Sequence, residues 1–209
     1  MEHYVITIAR SYGSDGCAIA ARLSEALGIN YYDKDLLPLV SEESGISEQL
    51  LAKSDEKVKK HLWEAEGDRK YELDFDRIDP GNPLSEYNLF RYQASTIRRL
   101  ANRESCIIVG RAADYVLQHH RYLFSVSIQA PFESCVKGIM KRKFVDRRTA
   151  EKDVRRINKE RNAFYRTYTG QEWNDPLNYD LCLNSARYPQ PACVELIRTA
   201  ASLKFGFTV

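Results

Sequence analysis

The stretch "YVITIARSYGSDGCAIAARLSEALGINYYDKDLL", residues 4–37, decides the fold. Its opening "YVITIA" (4–9) is short, apolar and rich in β-branched residues, which fits a buried strand. "DGCAIAARLSEALG" (15–28) carries Ile19, Leu23 and Leu27 at helical spacing, with Gly28 placed to end the helix. Between strand and helix lies "RSYGSDGCA" (10–18). That order builds a phosphate loop when the turn reads G-x-x-x-x-G-K-[ST]. Here Arg10 stands at the first glycine position, and no lysine follows Gly16. Gly13 and Gly16 still let a phosphate approach the backbone, whose N–H groups and helix dipole favour an anion. The outer phosphates then need a cation such as Arg10 or an arginine from elsewhere. Asp15 either caps the helix or faces outward, because a carboxylate inside the cradle repels phosphate. The alternative is a plain strand–turn–helix connection, and the turn taken by itself favours it.

Further along, residues 34–43 and 47–66 read as helices, and "DFDRIDPGNPLSE" (74–86) as a loop. Residues 85–104 read as a helix opened by Ser85. "CIIVG" (106–110) and "YLFSVSIQA" (122–130) read as a second and a third strand. A helix over 131–143 starts at Pro131, and a basic helix covers roughly 147–166. A loop (168–180), a short strand (181–185) and a closing helix (191–203) complete the chain. Strands alternating with helices argue a parallel α/β sheet with right-handed crossovers.

The 209 residues fit one domain with an ordinary soluble composition. A formal net charge of +2 points to no polyanion partner, so no nucleic acid is expected. The apolar runs are too short to span a bilayer, so no membrane is expected either. The five cysteines are scattered without a C-x-x-C pair, and "MEHYVITIAR" does not resemble a signal sequence. A reducing cytoplasm is the expected location. The adjacent His119 and His120 diverge and have no cysteine nearby, so no zinc site is expected and no metal-ligating residue is named.

Two further stretches carry candidate chemistry. In "IIVGRAADYVL" (107–117), Arg111 follows a strand-ending glycine, at the sheet end where open α/β folds bind ligands. Its guanidinium suits a paired clamp on phosphate, the alternative being a surface salt bridge. Residues 137–166 carry many Lys and Arg, but Asp146, Glu151, Asp153 and Glu160 interleave with them. That pattern reads as a solvated helix face. It also suits a hinged helix that delivers cations during phosphoryl transfer.

Three segments, "ITIARSYGSDGCAIAARLSEALGINYYDKDLL", "CIIVGRAADYVL" and "INKERNAFYRTYTGQEWNDPLNYDLCLNS", together resemble the cytidylate kinase-like family. The resemblance implies a three-layer P-loop-type α/β fold in a single kinase-like domain spanning 1–209. A helical acceptor-binding insertion would occupy 34–104, and an arginine-bearing lid 143–176. It implies ATP-dependent phosphoryl transfer to CMP, dCMP or a related small acceptor, with Mg²⁺. Gly13, Ser14 and Gly16 fall on the phosphate loop, with Arg10 and Cys17 beside them. Asp33, Lys34 and Arg111 fall on the acceptor side, and Arg142, Lys159 and Arg161 in or beside the lid, as catalytic cations. Tyr165, Tyr168, Trp173 and Asp180 belong to the family signature. The alternative on the same fold is a non-catalytic nucleotide-sensing or partner-binding protein, because the loop lysine is absent and Asp15 sits in the loop.

Overall fold

The computed structural model describes residues 3–54 and 81–209. The chain runs β1 (Val5–Arg10), α1 (Gly16–Leu27), β2 (Asn30–Tyr32), α2 (Leu36–Ser44) and α3 (Glu48–Ser54). It continues with α4 (Glu86–Arg103), β3 (Cys106–Val109), α5 (Ala113–Val116) and β4 (Leu123–Gln129). Then come α6 (Phe132–Lys143), α7 (Arg147–Thr169), a 3-10 turn (Pro176–Asn178), β5 (Leu181–Asn184) and α8 (Gln190–Phe205). The expected helix over 47–66 and loop over 74–86 lie partly outside the described residues.

The five strands form one parallel sheet in the order β2-β3-β1-β4-β5. A parallel sheet must be covered on both faces, and side-chain alternation divides its residues between them. Val5, Cys106 and Ile108 point to a core shared with α2, α4 and the end of α7, through Val40, Phe90, Ile97 and Tyr168. Ile6, Ile8, Ile107 and Val109 point the other way, to Ile19 and Leu23 of α1 and Ile197 of α8. Winding reverses across β1, so the crevice at its carboxyl end is the place where such sheets take ligands.

Two elements go beyond the sequence reading. β2 is only "NYY", too short for alternation to show, and it sits at the sheet edge against β3. α5 is a single turn after Arg111. Ser85 caps α4 as expected, its Oγ accepting the Asn88 N–H at 3.2 Å. Asp146 caps α7 in the same way, its Oδ1 accepting the Thr149 N–H at 2.8 Å. α7 divides in two. Ala150 and Val154 of its first half pack on Cys135, Val136 and Ile139 of α6. Its last turns enter the main core, where Tyr168 stacks on Phe90 at 4.2 Å between ring centroids. Among the described residues no helix is long and apolar enough to cross a membrane.

Candidate functional site

The turn after β1 keeps the geometry of an anion cradle. Gly13 has φ +96°, a region that side chains rarely adopt, and a Cβ there would lie 2.6 Å from the Cys135 carbonyl oxygen. Gly138 faces it, a Cβ there falling 3.1 Å from the Gly13 oxygen. Two glycines thus bring α6 onto the loop backbone. Ile19 is the first amide of α1 to bond back, to the Asp15 carbonyl. The N–H groups of Gly13, Asp15, Gly16, Cys17 and Ala18 meet no acceptor among the described residues. A helix start with open amides is an anion site in the making.

Asp15 does not spoil this cradle. It adopts φ +61° without a capping side-chain bond, so the capping expectation fails. Its carboxylate turns outward to the Arg142 guanidinium, and the Gln190 amide approaches it at 3.4 Å. Ser14 is buried, and its hydroxyl donates to the Ser11 carbonyl at 2.8 Å. Cys17 is half-buried against the α1–α8 core, a packing position. One amide is already taken: the Tyr12 N–H donates to Asn158 Oδ1 of α7 at 2.7 Å.

The missing lysine has a steric counterpart. A Cβ at Gly16 would lie 2.5 Å from Cβ of Arg10 and 3.1 Å from its Cγ. Cβ is fixed to the backbone and cannot swing away. Arg10 is 5 % exposed, with its guanidinium turned inward to Asp33 at 3.4 Å.

Beyond Arg10 a small cleft of about 20 Å³ opens at the carboxyl ends of β1 and β3. Arg10, Arg111 and Arg161 line it with Asp114, Tyr165 and Trp173. Arg111 has φ +55° and is 2 % exposed, so the surface-salt-bridge alternative fails. Its Nη1 donates to the Asp33 carbonyl oxygen. Arg161 reaches across from α7, its Nη1 donating to the Arg10 carbonyl at 2.9 Å. Asp114 Oδ2 accepts the Tyr165 hydroxyl at 2.6 Å. Burial pushes the Asp114 carboxyl up to about 6, the Tyr165 bond opposing the shift. Burial, and then the Asp114 charge, drive the Tyr165 phenol well above its ordinary value.

The other candidates stand apart. Lys34 is exposed and only its carbonyl is used locally, by the Leu37 N–H. Lys159 is exposed and does not line the cleft. The solvated-face reading holds for much of α7, where Arg147 pairs with Glu133 and Glu151, and Arg156 with Asp153 and Glu160. Sequence reasoning missed Asp114 and Asn158. The only available signal was Asp114's place three residues after Arg111.

A family model described as the cytidylate kinase-like family matches residues 5–187. The chain belongs to the cytidylate kinase-like family. Solved structures extend the likeness. A protein described as uncharacterized, from Eubacterium ventriosum ATCC 27560, is 23% identical with a TM-score of 0.71, over 96% of this chain and 99% of that one. A gluconokinase from Sinorhizobium meliloti 1021 is 11% identical with a TM-score of 0.53, over 97% and 93%. A shikimate kinase from Bacteroides thetaiotaomicron is 10% identical with a TM-score of 0.53, over 94% and 97%. At these identities they establish a shared fold. None of the curated proteins compared matches the chain. The protein is therefore kinase-like in family and fold.

Proposed function

We propose that this chain transfers the terminal phosphoryl group of ATP to a small phosphate-bearing acceptor, with CMP and dCMP as first candidates. One observation carries the reading: Arg10 borders both the open amide cradle and the arginine-lined cleft. Its stem lies under Gly16 at the open amide cradle, and its guanidinium lines the three-arginine cleft. The cradle amides of Gly13 to Ala18 would hold the donor phosphates, and Arg111 and Arg161 the acceptor phosphate. Arg142, on the lip beside Asp15, would exchange that carboxylate for a phosphoryl oxygen. Charge spread over the transferred group is what such cations stabilise.

The donor set fits a triphosphate better than it fits Mg²⁺. Magnesium takes hard oxygen ligands. The Ser14 hydroxyl is buried and engaged, Cys17 offers a thiol, and Asp15 is held by Arg142. Among the described residues no group of three His, Cys, Asp or Glu is placed to hold a metal ion.

The absent lysine and the Tyr12 amide already held by Asn158 favour a second reading, nucleotide sensing without transfer. Calorimetric titration with ATP, Mg²⁺–ATP and CMP, followed by a direct transfer assay, separates the two. Mg²⁺–ATP binding strengthened by CMP, with transfer abolished in Arg161→Ala, supports the kinase. Nucleotide binding without transfer to any acceptor supports the sensor. Binding of no nucleotide by folded protein overturns both.

A further inference from the structure

The hairpin of α6 and α7 meets the phosphate loop at Tyr12. The Tyr12 ring packs on the small core formed by Cys135, Val136 and Ile139 of α6 with Val154 of α7. Lys143 Nζ lies 5.4 Å from the ring centroid and the Arg161 guanidinium carbon 5.9 Å. Lys143 is itself paired with Asp153 of α7 at 3.2 Å. Both arms of the hairpin therefore fix this side chain. The backbone before it is fixed as well. The Ser11 N–H donates to the Ile128 carbonyl of β4 at 3.1 Å, and Arg161 Nη1 donates to the Arg10 carbonyl at 2.9 Å.

The Tyr12 N–H thus has little freedom to turn, and it donates to Asn158 Oδ1 at 2.7 Å. The amides that follow, those of Gly13, Asp15 and Gly16, meet no acceptor among the described residues. A side chain of α7 has therefore brought a neutral oxygen to the edge of the cradle. Asn158 stands three residues before Arg161 on the same helix, so oxygen and cation come to the loop together. A carboxamide oxygen accepts from an amide as a phosphate oxygen does, but without the charge. Hydrogen bonds to ionised acceptors are roughly twice as strong as neutral ones. One N–H carries one proton, so its bond to Asn158 and a bond to phosphate exclude each other.

We propose that Asn158 is a built-in competitor for the phosphate loop, holding the Tyr12 amide until a phosphate chain displaces it. The inference rests on the reading above that the cradle takes phosphates, and it names what regulates that site. Tripolyphosphate is the probe, titrated without metal at constant ionic strength into the full chain and two variants, and followed by calorimetry. Asn158→Ala removes the competing oxygen and should bind about threefold tighter or more, the size of effect a net neutral hydrogen bond supports. Asn158→Asp puts a carboxylate on the same amide and should bind about threefold more weakly or worse. In the isotope-labelled parent chain, the Tyr12 amide NMR signal should move on saturation to the position it takes in saturated Asn158→Ala. If Asn158→Ala fails to fold, the movement of that signal in the parent chain and the weakening in Asn158→Asp carry the test. Equal or weaker binding by folded Asn158→Ala overturns the proposal and leaves the cradle reading standing, with Asn158 a brace of the loop. A Tyr12 signal that stays in place at saturation does the same. Binding of tripolyphosphate by none of the three overturns the cradle reading itself, and the proposal with it.

Discussion

At the scale of single residues, Arg10 and Gly16 share one volume. Restoring the loop pattern with Gly16→Lys drives a Cβ into Arg10. Overpacking of this kind typically costs about 1–3 kcal/mol. The expected result is a lower melting temperature and no gain in transfer, read by calorimetry and a coupled assay. Arg161→Ala is a different test. α7 stays packed through Val154 and Tyr168, so the fold should persist while transfer falls roughly 10²–10³-fold. An unchanged kcat/KM would remove Arg161 from the machinery. The sequence made Arg111 and Arg161 legible as candidates, but ranked Lys159 equally with them. Position on a helix names a face; it does not say which face meets the sheet. That depends on Phe164 and Tyr168 entering the core below.

At the scale of elements, the bond between Asp114 and Tyr165 ties α5 to α7, one helical turn beyond Arg161. Its pH dependence has a definite sign. The folded carboxyl sits at about 6, above its unfolded value near 3.8. The folded state therefore holds the proton more firmly, and this contribution is full below about pH 4. It is lost as pH rises towards 6. Asp114→Asn should flatten the stability profile between those values, measured as urea midpoints across the range. An unchanged slope would mean that Asp114 does not titrate there. Phe90→Ala should cost about 3–5 kcal/mol, because its ring stacks on Tyr168 and meets Phe164 edge-on at 5.6 Å. Most elements could be read from the sequence because long periodic segments announce themselves. β2 and α5 could not, being three and four residues long and held by neighbours rather than by pattern. Asn158 was illegible for a related reason. Its partner is an amide 146 positions away in the chain.

At the scale of the whole molecule, the proposed ligands couple to stability. A ligand at a hundred times its dissociation constant adds about 2.7 kcal/mol. For a chain of this size that is a rise of roughly 5–10 °C in melting temperature. Mg²⁺–ATP with CMP should produce it, and no shift with either would argue for a vestigial loop. The parallel sheet was legible because strands alternate with helices. Its order could not be read locally, since the placement of β1 between β3 and β4 depends on crossovers.

The shared volume of Arg10 and Gly16 also bears on ancestry. A lineage that holds arginine at 10 cannot gain lysine at 16 without crowding its loop. It must first give up Arg10, and with it the contact to Asp33 and one wall of the cleft. The step from one loop design to the other thus carries a packing cost. Selection that depended on the lysine-free form would keep it there, and members of this family should carry the two positions as a linked pair.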